Sequence, residues 1–76
     1  MTQHYATYKL QVPECTIVVS MALFNGGRST GRYRQATFNP HGDLISIGSG
    51  SGFQDVSAEE LAHKELANFL RERTEE

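Results

Sequence analysis

A run of glycines ahead of a helix is the first feature with potential chemistry. The segment IGSGSGFQDVSAEEL carries glycines at alternate positions, namely Gly48, Gly50 and Gly52. A phosphate-binding loop brings glycine N–H groups to the anion at the very start of a helix. Here Phe53 to Val56 separate the glycines from the expected helix cap, Ser57, and no Walker-type lysine follows. Three carboxylates near the helix start would also repel phosphate: Asp55, Glu59 and Glu60. We therefore interpret the glycines as a flexible strand-to-helix connection.

Cysteine and histidine side chains are the second feature with potential chemistry. The candidates for metal ligation are Cys15, His4, His41 and His63. Their spacing matches no compact zinc pattern, because each lies in a different predicted element. Cys15 with His41 and Asp43 would make a nucleophilic site, but Cys15 shares a strand face with apolar residues and is expected to be buried. We therefore predict no catalytic residue, no metal, no cofactor and no enzymatic activity.

Arginines form the one basic cluster, between residues 28 and 34. Arg32 and Arg34 fall on one face of a predicted strand, Tyr33 falls on the other, and Arg28 precedes them in a turn. This Arg28–Arg34 hairpin could lie along a nucleic-acid backbone. The alternative is a solvated strand edge whose charges block edge-to-edge aggregation.

The C-terminal third of the chain is acidic. Residues 1–54 hold four basic and two acidic residues, whereas residues 55–76 hold three basic and seven acidic ones. An acidic helix surface that includes Glu59, Glu60 and Glu65 could meet an arginine-lined groove of a partner, or it could simply be solvated. Phe53, in the glycine-rich segment, is either a core residue or an exposed partner anchor.

Alternating apolar residues and turn signals predict the elements that carry these groups. Strands are expected over residues 4–12, 15–24, 32–39 and 44–48, and a helix over 57–73. Asn25-Gly26 favours a hairpin turn, with residues 25–31 as a mobile tip. Ser57 with Glu60 forms a capping-box signature. We predict an α+β fold over a single domain, 1–76: an antiparallel three- to four-stranded sheet with one C-terminal helix on one face, in the order β-β-β-β-α.

Two resemblances accompany this pattern. The order of elements over residues 15–73, and above all GDLISIGSGSGFQDVSAEELAHKELANFL, is similar to part of a double-stranded RNA-binding domain. That family has a lysine cluster at the start of this helix, where the present chain has Ser57, Ala58, Glu59 and Glu60. The resemblance therefore implies topology without the RNA-binding residues. In size, charge polarity and lack of catalytic motifs, the chain also resembles small phage-encoded inhibitors of bacterial defence of the anti-CRISPR type.

These observations lead to a functional expectation. A single cysteine excludes an internal disulfide and favours a cytoplasmic protein. The longest apolar run, residues 15–24, is too short to span a bilayer, so no membrane partner is expected. We predict a non-enzymatic binding protein that occludes a surface of a larger protein or ribonucleoprotein complex, as a phage-type inhibitor of CRISPR defence would. The alternatives are a nucleic-acid-binding module using the arginine hairpin and a small assembly subunit; free sheet edges are compatible with a homodimer.

Overall fold

Four strands and one helix make up the fold in the computed structural model, which describes residues 4–74. The elements are β1 (His4–Val12), β2 (Cys15–Leu23), β3 (Ser29–Phe38), β4 (Leu44–Gly50) and α1 (Ala58–Thr74). The strands form one antiparallel sheet in the order β1-β2-β3-β4. The predicted α+β architecture, β-β-β-β-α, is confirmed. Residues 1–3 and 75–76 of the predicted domain lie outside the described residues.

The core lies between α1 and the first two strands. Alternate residues of β2 are buried on the side that faces α1: Cys15, Ile17, Val19 and Met21. Ala58, Leu61 and Ala62 of α1 are buried against them, and Leu66 and Phe69 pack at the margin. Leu70, near the end of α1, keeps 38% of its surface exposed. The helix contacts β1 and β2, so it covers one half of one sheet face.

The start of α1 follows the cap predicted from the sequence. The N–H of Glu60 donates to Ser57 Oγ at 3.2 Å, and the N–H of Leu61 donates to the Ser57 carbonyl at 3.1 Å. The side-chain bond satisfies one of the orphan donors of the first helical turn. No helix among the described residues is long and apolar enough to cross a membrane.

Strand β3 begins three residues earlier than the sequence pattern suggested. Ser29, Thr30 and Gly31 belong to β3, so the prediction that residues 25–31 form one long tip is wrong for its second half. The register shifts opposite Met21 and Leu23, and Thr30 Oγ1 donates to the carbonyl of Ala22 at 2.9 Å. This irregular pairing accommodates a glycine inside the strand, which sequence rules assign to a turn.

Strand β4 also runs further than predicted, and it includes two of the glycines. Gly48 lies opposite Gln35, and Gly50 lies opposite Tyr33. A Cβ at position 50 would lie 2.5 Å from Tyr33 Cε1, and one at position 48 would lie 2.9 Å from Gln35 Oε1. These glycines therefore make room for side chains of β3. Only Gly52, with φ of +85°, belongs to the connection as expected.

Candidate binding surface

Among residues 4–74, no element covers the sheet face turned away from α1. We call it the open face. It consists of the β2 residues that alternate with the buried ones, together with the residues paired with them across β1, β3 and β4. Lys9, Val18, Ala36 and Ile47 form one row across the four strands, and Thr7, Ser20, Arg34 and Ser49 form the next. A 3.2 Å hydrogen bond joins the hydroxyls of Thr7 and Ser20 within the second row.

Every charged side chain on the open face is basic. None of the four strands contains an aspartate or a glutamate, whereas Lys9, Arg32 and Arg34 lie on the strands and are exposed. Within residues 4–74, neither Arg32 nor Arg34 makes a side-chain hydrogen bond or ion pair. Both guanidinium groups keep their full set of donors for a ligand, and each projects from a hydrogen-bonded strand.

Two adjoining depressions give the open face its shape. One, of about 600 Å³, includes Tyr5, Arg32 and Arg34 in its lining. The other, of about 540 Å³, includes Val18, Ala36 and Ile47. They share Ser20, Arg34 and Ser49. Together they form a shallow trough, basic and aromatic at one end and apolar at the other.

Tyr33 and Phe53 lie on the other side of the sheet, against each other. Their rings meet edge to face, with centroids 5.1 Å apart and an interplanar angle of 86°. Both are half-buried and pack on the core. The N–H of Phe53 donates to the Gly31 carbonyl at 3.1 Å, which fixes the connection over β3. Of the two roles considered for Phe53, this geometry matches the core residue.

Burial of Tyr33 has an electrostatic consequence. Removal from solvent raises the pKa of the Tyr33 hydroxyl above its usual value of 10.0, and the negative charge of Glu65 raises it further. Glu65 is half-buried on α1, close enough to Tyr33 for its charge to act on the hydroxyl.

The remaining predicted contact residues lie away from the open face. Glu59 and Glu60 are exposed in the first turn of α1, on the covered side of the sheet. Arg28 is exposed in the loop between β2 and β3. The structure thus brings Arg32 and Arg34 together on the open face, and it separates them from Tyr33, Phe53 and the acidic residues.

Sequence reasoning missed the apolar end of the open face. Leu44, Ile45 and Ile47 of β4 expose 55%, 47% and 74% of their surface. LISI itself contains no charged residue, a pattern that fits a buried strand as well as an exposed contact. Tyr5, which lines the same depression as Arg32 and Arg34, is likewise predicted only as part of the strand over residues 4–12.

Comparisons with known proteins add no family assignment. No protein-family model, curated protein or solved structure matches the chain. Within residues 4–74, no three histidine, cysteine, aspartate or glutamate side chains converge in a way that could hold a metal ion. A proposal about function therefore depends on the geometry of the open face.

Proposed function

We propose that the chain is a non-enzymatic binding protein whose open face occludes an anionic surface of a larger protein or ribonucleoprotein complex. The observation that carries this proposal is the sign of the charge on the sheet. Three basic residues project from strands that contain no carboxylate. A surface of one sign attracts the opposite sign and speeds the encounter with it.

The arginines are suited to be the main contacts. A guanidinium donates two parallel hydrogen bonds to a carboxylate or a phosphate, which gives direction as well as attraction. Arg32 and Arg34 lie two positions apart on one strand, so their Cα atoms are about 6.5 Å apart. That spacing lets two neighbouring anionic groups of a partner be held at once. The apolar end of the trough would supply the hydrophobic part of the contact.

The acidic groups of α1 are less suited to the same role. Glu59 and Glu60 lie in the first turn of the helix, where negative charge stabilises the helix through its dipole. Glu59 and Glu60 are thus explained by the stability of the helix. Within residues 4–74, the side chains of Arg32 and Arg34 have no partner that would explain their position. Inhibition of CRISPR defence, which the resemblance to phage inhibitors implies, stays a prediction about the identity of the partner.

Capture from a bacterial lysate tests the proposal. Tagged wild-type protein is incubated with nuclease-treated lysate, and bound proteins are quantified by mass spectrometry. We expect a stoichiometric partner that the Arg32→Ala/Arg34→Ala variant retains at least about tenfold less well. The control is Lys64→Ala, which removes a positive charge from the exposed side of α1. Equal retention by the arginine variant and the wild type would refute the open face as the contact.

Nucleic acid is the second candidate ligand. The specific observation is that Tyr5 lines the same depression as Arg32 and Arg34, because stacking on an aromatic ring beside basic groups is how single strands are commonly bound. Three cations would give a salt slope, log K against log [salt], of about −2 for a single strand. Fluorescence anisotropy with a labelled oligonucleotide measures it, and Arg32→Ala should reduce the slope by about 0.7.

A further inference from the structure

Among residues 4–74, the outer edge of β4 has no charge, proline or covering element to keep it from another strand. Its one irregularity lies at Ile45, where the pairing with β3 passes from Ser46 to Leu44. β4 pairs with β3 on one side, and it is the last strand of the sheet on the other. Its sequence, LISIGSG, contains no charged residue and no proline. Six of its seven residues are exposed. Natural proteins usually protect such an edge with lysine, proline, a bulge or a covering element, because unpaired backbone groups invite another strand.

The opposite edge of the sheet is different. β1 carries Lys9 near its centre, and α1 packs on β1 and β2. Tyr8, Leu10 and Val12 of β1 pack against the core under that helix. A second chain would therefore meet a charge and the side of a helix at β1, whereas it would meet neutral backbone at β4. The asymmetry singles out β4 as the edge open to pairing.

We infer that two copies of this chain pair antiparallel along β4, which extends the sheet from four to eight strands. The seven-residue strand has Ile47 at its centre. A two-fold axis at Ile47 sets Ile47 beside Ile47 of the other copy on the open face, and it pairs Ser46 with Gly48. The same axis places Ile45 opposite Ser49 and Leu44 opposite Gly50, where the irregularity at Ile45 limits regular pairing.

Three properties of β4 favour a second copy as the occupant. The contact is self-complementary, because an antiparallel pair of identical strands obeys two-fold symmetry. It brings no like charges together, because β4 is neutral. It also covers part of the exposed apolar surface of Leu44, Ile45 and Ile47, which amounts to roughly 350 Å² per copy when the exposed fractions are applied to whole side chains.

The exposed surface at β4 is small for a stable interface. Leu44, Ile45 and Ile47 together offer much less than the roughly 800 Å² per partner of a standard interface. We therefore expect a reversible dimer that dissociates on dilution. The seam shares Ile47 with the apolar end of the trough, but it leaves Arg32 and Arg34 of both copies on the open face, so the arginine variants and the β4 variants test the two proposals separately.

Sedimentation velocity over a range of about 1 to 500 µM tests the pairing. The wild type should shift from monomer to dimer across that range. Ile47→Lys and Ser46→Lys should each raise the Kd at least about tenfold, because each brings like charges to neighbouring positions across the seam. Gln11→Lys is the matched control; it adds the same charge at an exposed site of β1 and should leave the Kd unchanged.

The pair of β4 variants separates edge pairing from other modes of association. Ile47 lies on the open face, whereas Ser46 lies opposite Thr37 on the side of α1. If Ile47→Lys abolishes the dimer and Ser46→Lys does not, the two copies associate through their open faces and not along β4, and the inference is overturned. So would a wild type that stays monomeric at every concentration, or a dimer that Gln11→Lys disrupts. Circular dichroism of each variant checks that it is folded.

A cross-link tests the register. In air-oxidised samples Ile47→Cys should form a covalent dimer, because Cβ atoms of directly opposed residues lie within about 5.5 Å. Gln11→Cys is the control and should give much less dimer. The native Cys15 is buried and 1% exposed, so it does not compete. Equal cross-linking of both variants would contradict a seam centred on Ile47.

Discussion

An alanine at position 50 would test how β3, β4 and the connection to α1 are packed. The added Cβ would lie 2.5 Å from Tyr33 Cε1 and 3.1 Å from both Tyr33 Cζ and Phe53 Cε2. Real Cβ atoms do not come that close to a ring carbon, so the Tyr33 ring must move. Its edge-to-face contact with Phe53 would then be lost or weakened.

Two opposing effects decide whether this substitution raises or lowers the free energy of unfolding. Gly50 does not have a positive φ, so alanine fits the backbone and would add about 0.5 to 1 kcal/mol through the lower entropy of the unfolded chain. Displacing a packed ring costs about 1 to 3 kcal/mol, and loss of the aromatic pair adds about 0.5 to 1.5 kcal/mol. We therefore expect Gly50→Ala to lower the free energy of unfolding by about 2 kcal/mol, within a range of roughly 0.5 to 4 kcal/mol.

Urea denaturation followed by circular dichroism measures the effect. Gly26→Ala is the control, because a Cβ at position 26 meets nothing within 4 Å; its midpoint should stay unchanged or rise. Repeating Gly50→Ala in a Tyr33→Ala background should remove the penalty, since the obstructing ring is gone. A Gly50→Ala protein at least as stable as the wild type would refute the packing role assigned to this glycine.

Two further predictions concern the helix cap and the half-buried Tyr33. Ser57→Ala should lower the free energy of unfolding by about 1 kcal/mol, because it removes the acceptor for the N–H of Glu60; Ser57→Asp should retain most of the stability, and urea midpoints compare the two. The pKa of Tyr33 is higher in the folded state than its usual 10.0, so its contribution to stability is complete below that pH and is lost as the pH rises through the folded-state pKa. The urea midpoint of the wild type should therefore fall more steeply above pH 10 than that of Tyr33→Phe, and parallel pH profiles would contradict this.

Local patterns were sufficient to predict the elements whose signals are short-range. The alternation of Cys15, Ile17 and Val19 indicated a buried strand face, and these residues are buried against α1. Ser57 and Glu60 indicated the helix start, and the predicted cap bond is present. Such signals act within a few residues, so tertiary structure has little opportunity to override them.

The errors arise where glycine takes part in long-range packing. Gly31 and Gly50 both look like turn residues in the sequence, yet each lies in a strand. What keeps position 50 a glycine is the ring of Tyr33 on the neighbouring strand, an example of an aromatic residue that packs over a cross-strand glycine. No local pattern identifies that partner. The uncharged LISI segment is visible in the sequence, but its exposure is not, because that depends on where α1 lies.

The width of a single helix explains why part of this sheet stays exposed. Four strands about 4.8 Å apart span roughly 14 Å between the outer backbones, whereas a helix with its side chains is about 10 Å wide. One helix placed over β1 and β2 therefore cannot reach β4. Beyond its reach the covered face becomes polar, with the buried Gln35 side chain donating to Thr37 Oγ1. Phe53 of the connection packs on Tyr33, but β4 stays exposed. The sheet is left with a basic open face and an uncharged edge, and both are surfaces that a partner or a second copy can complete.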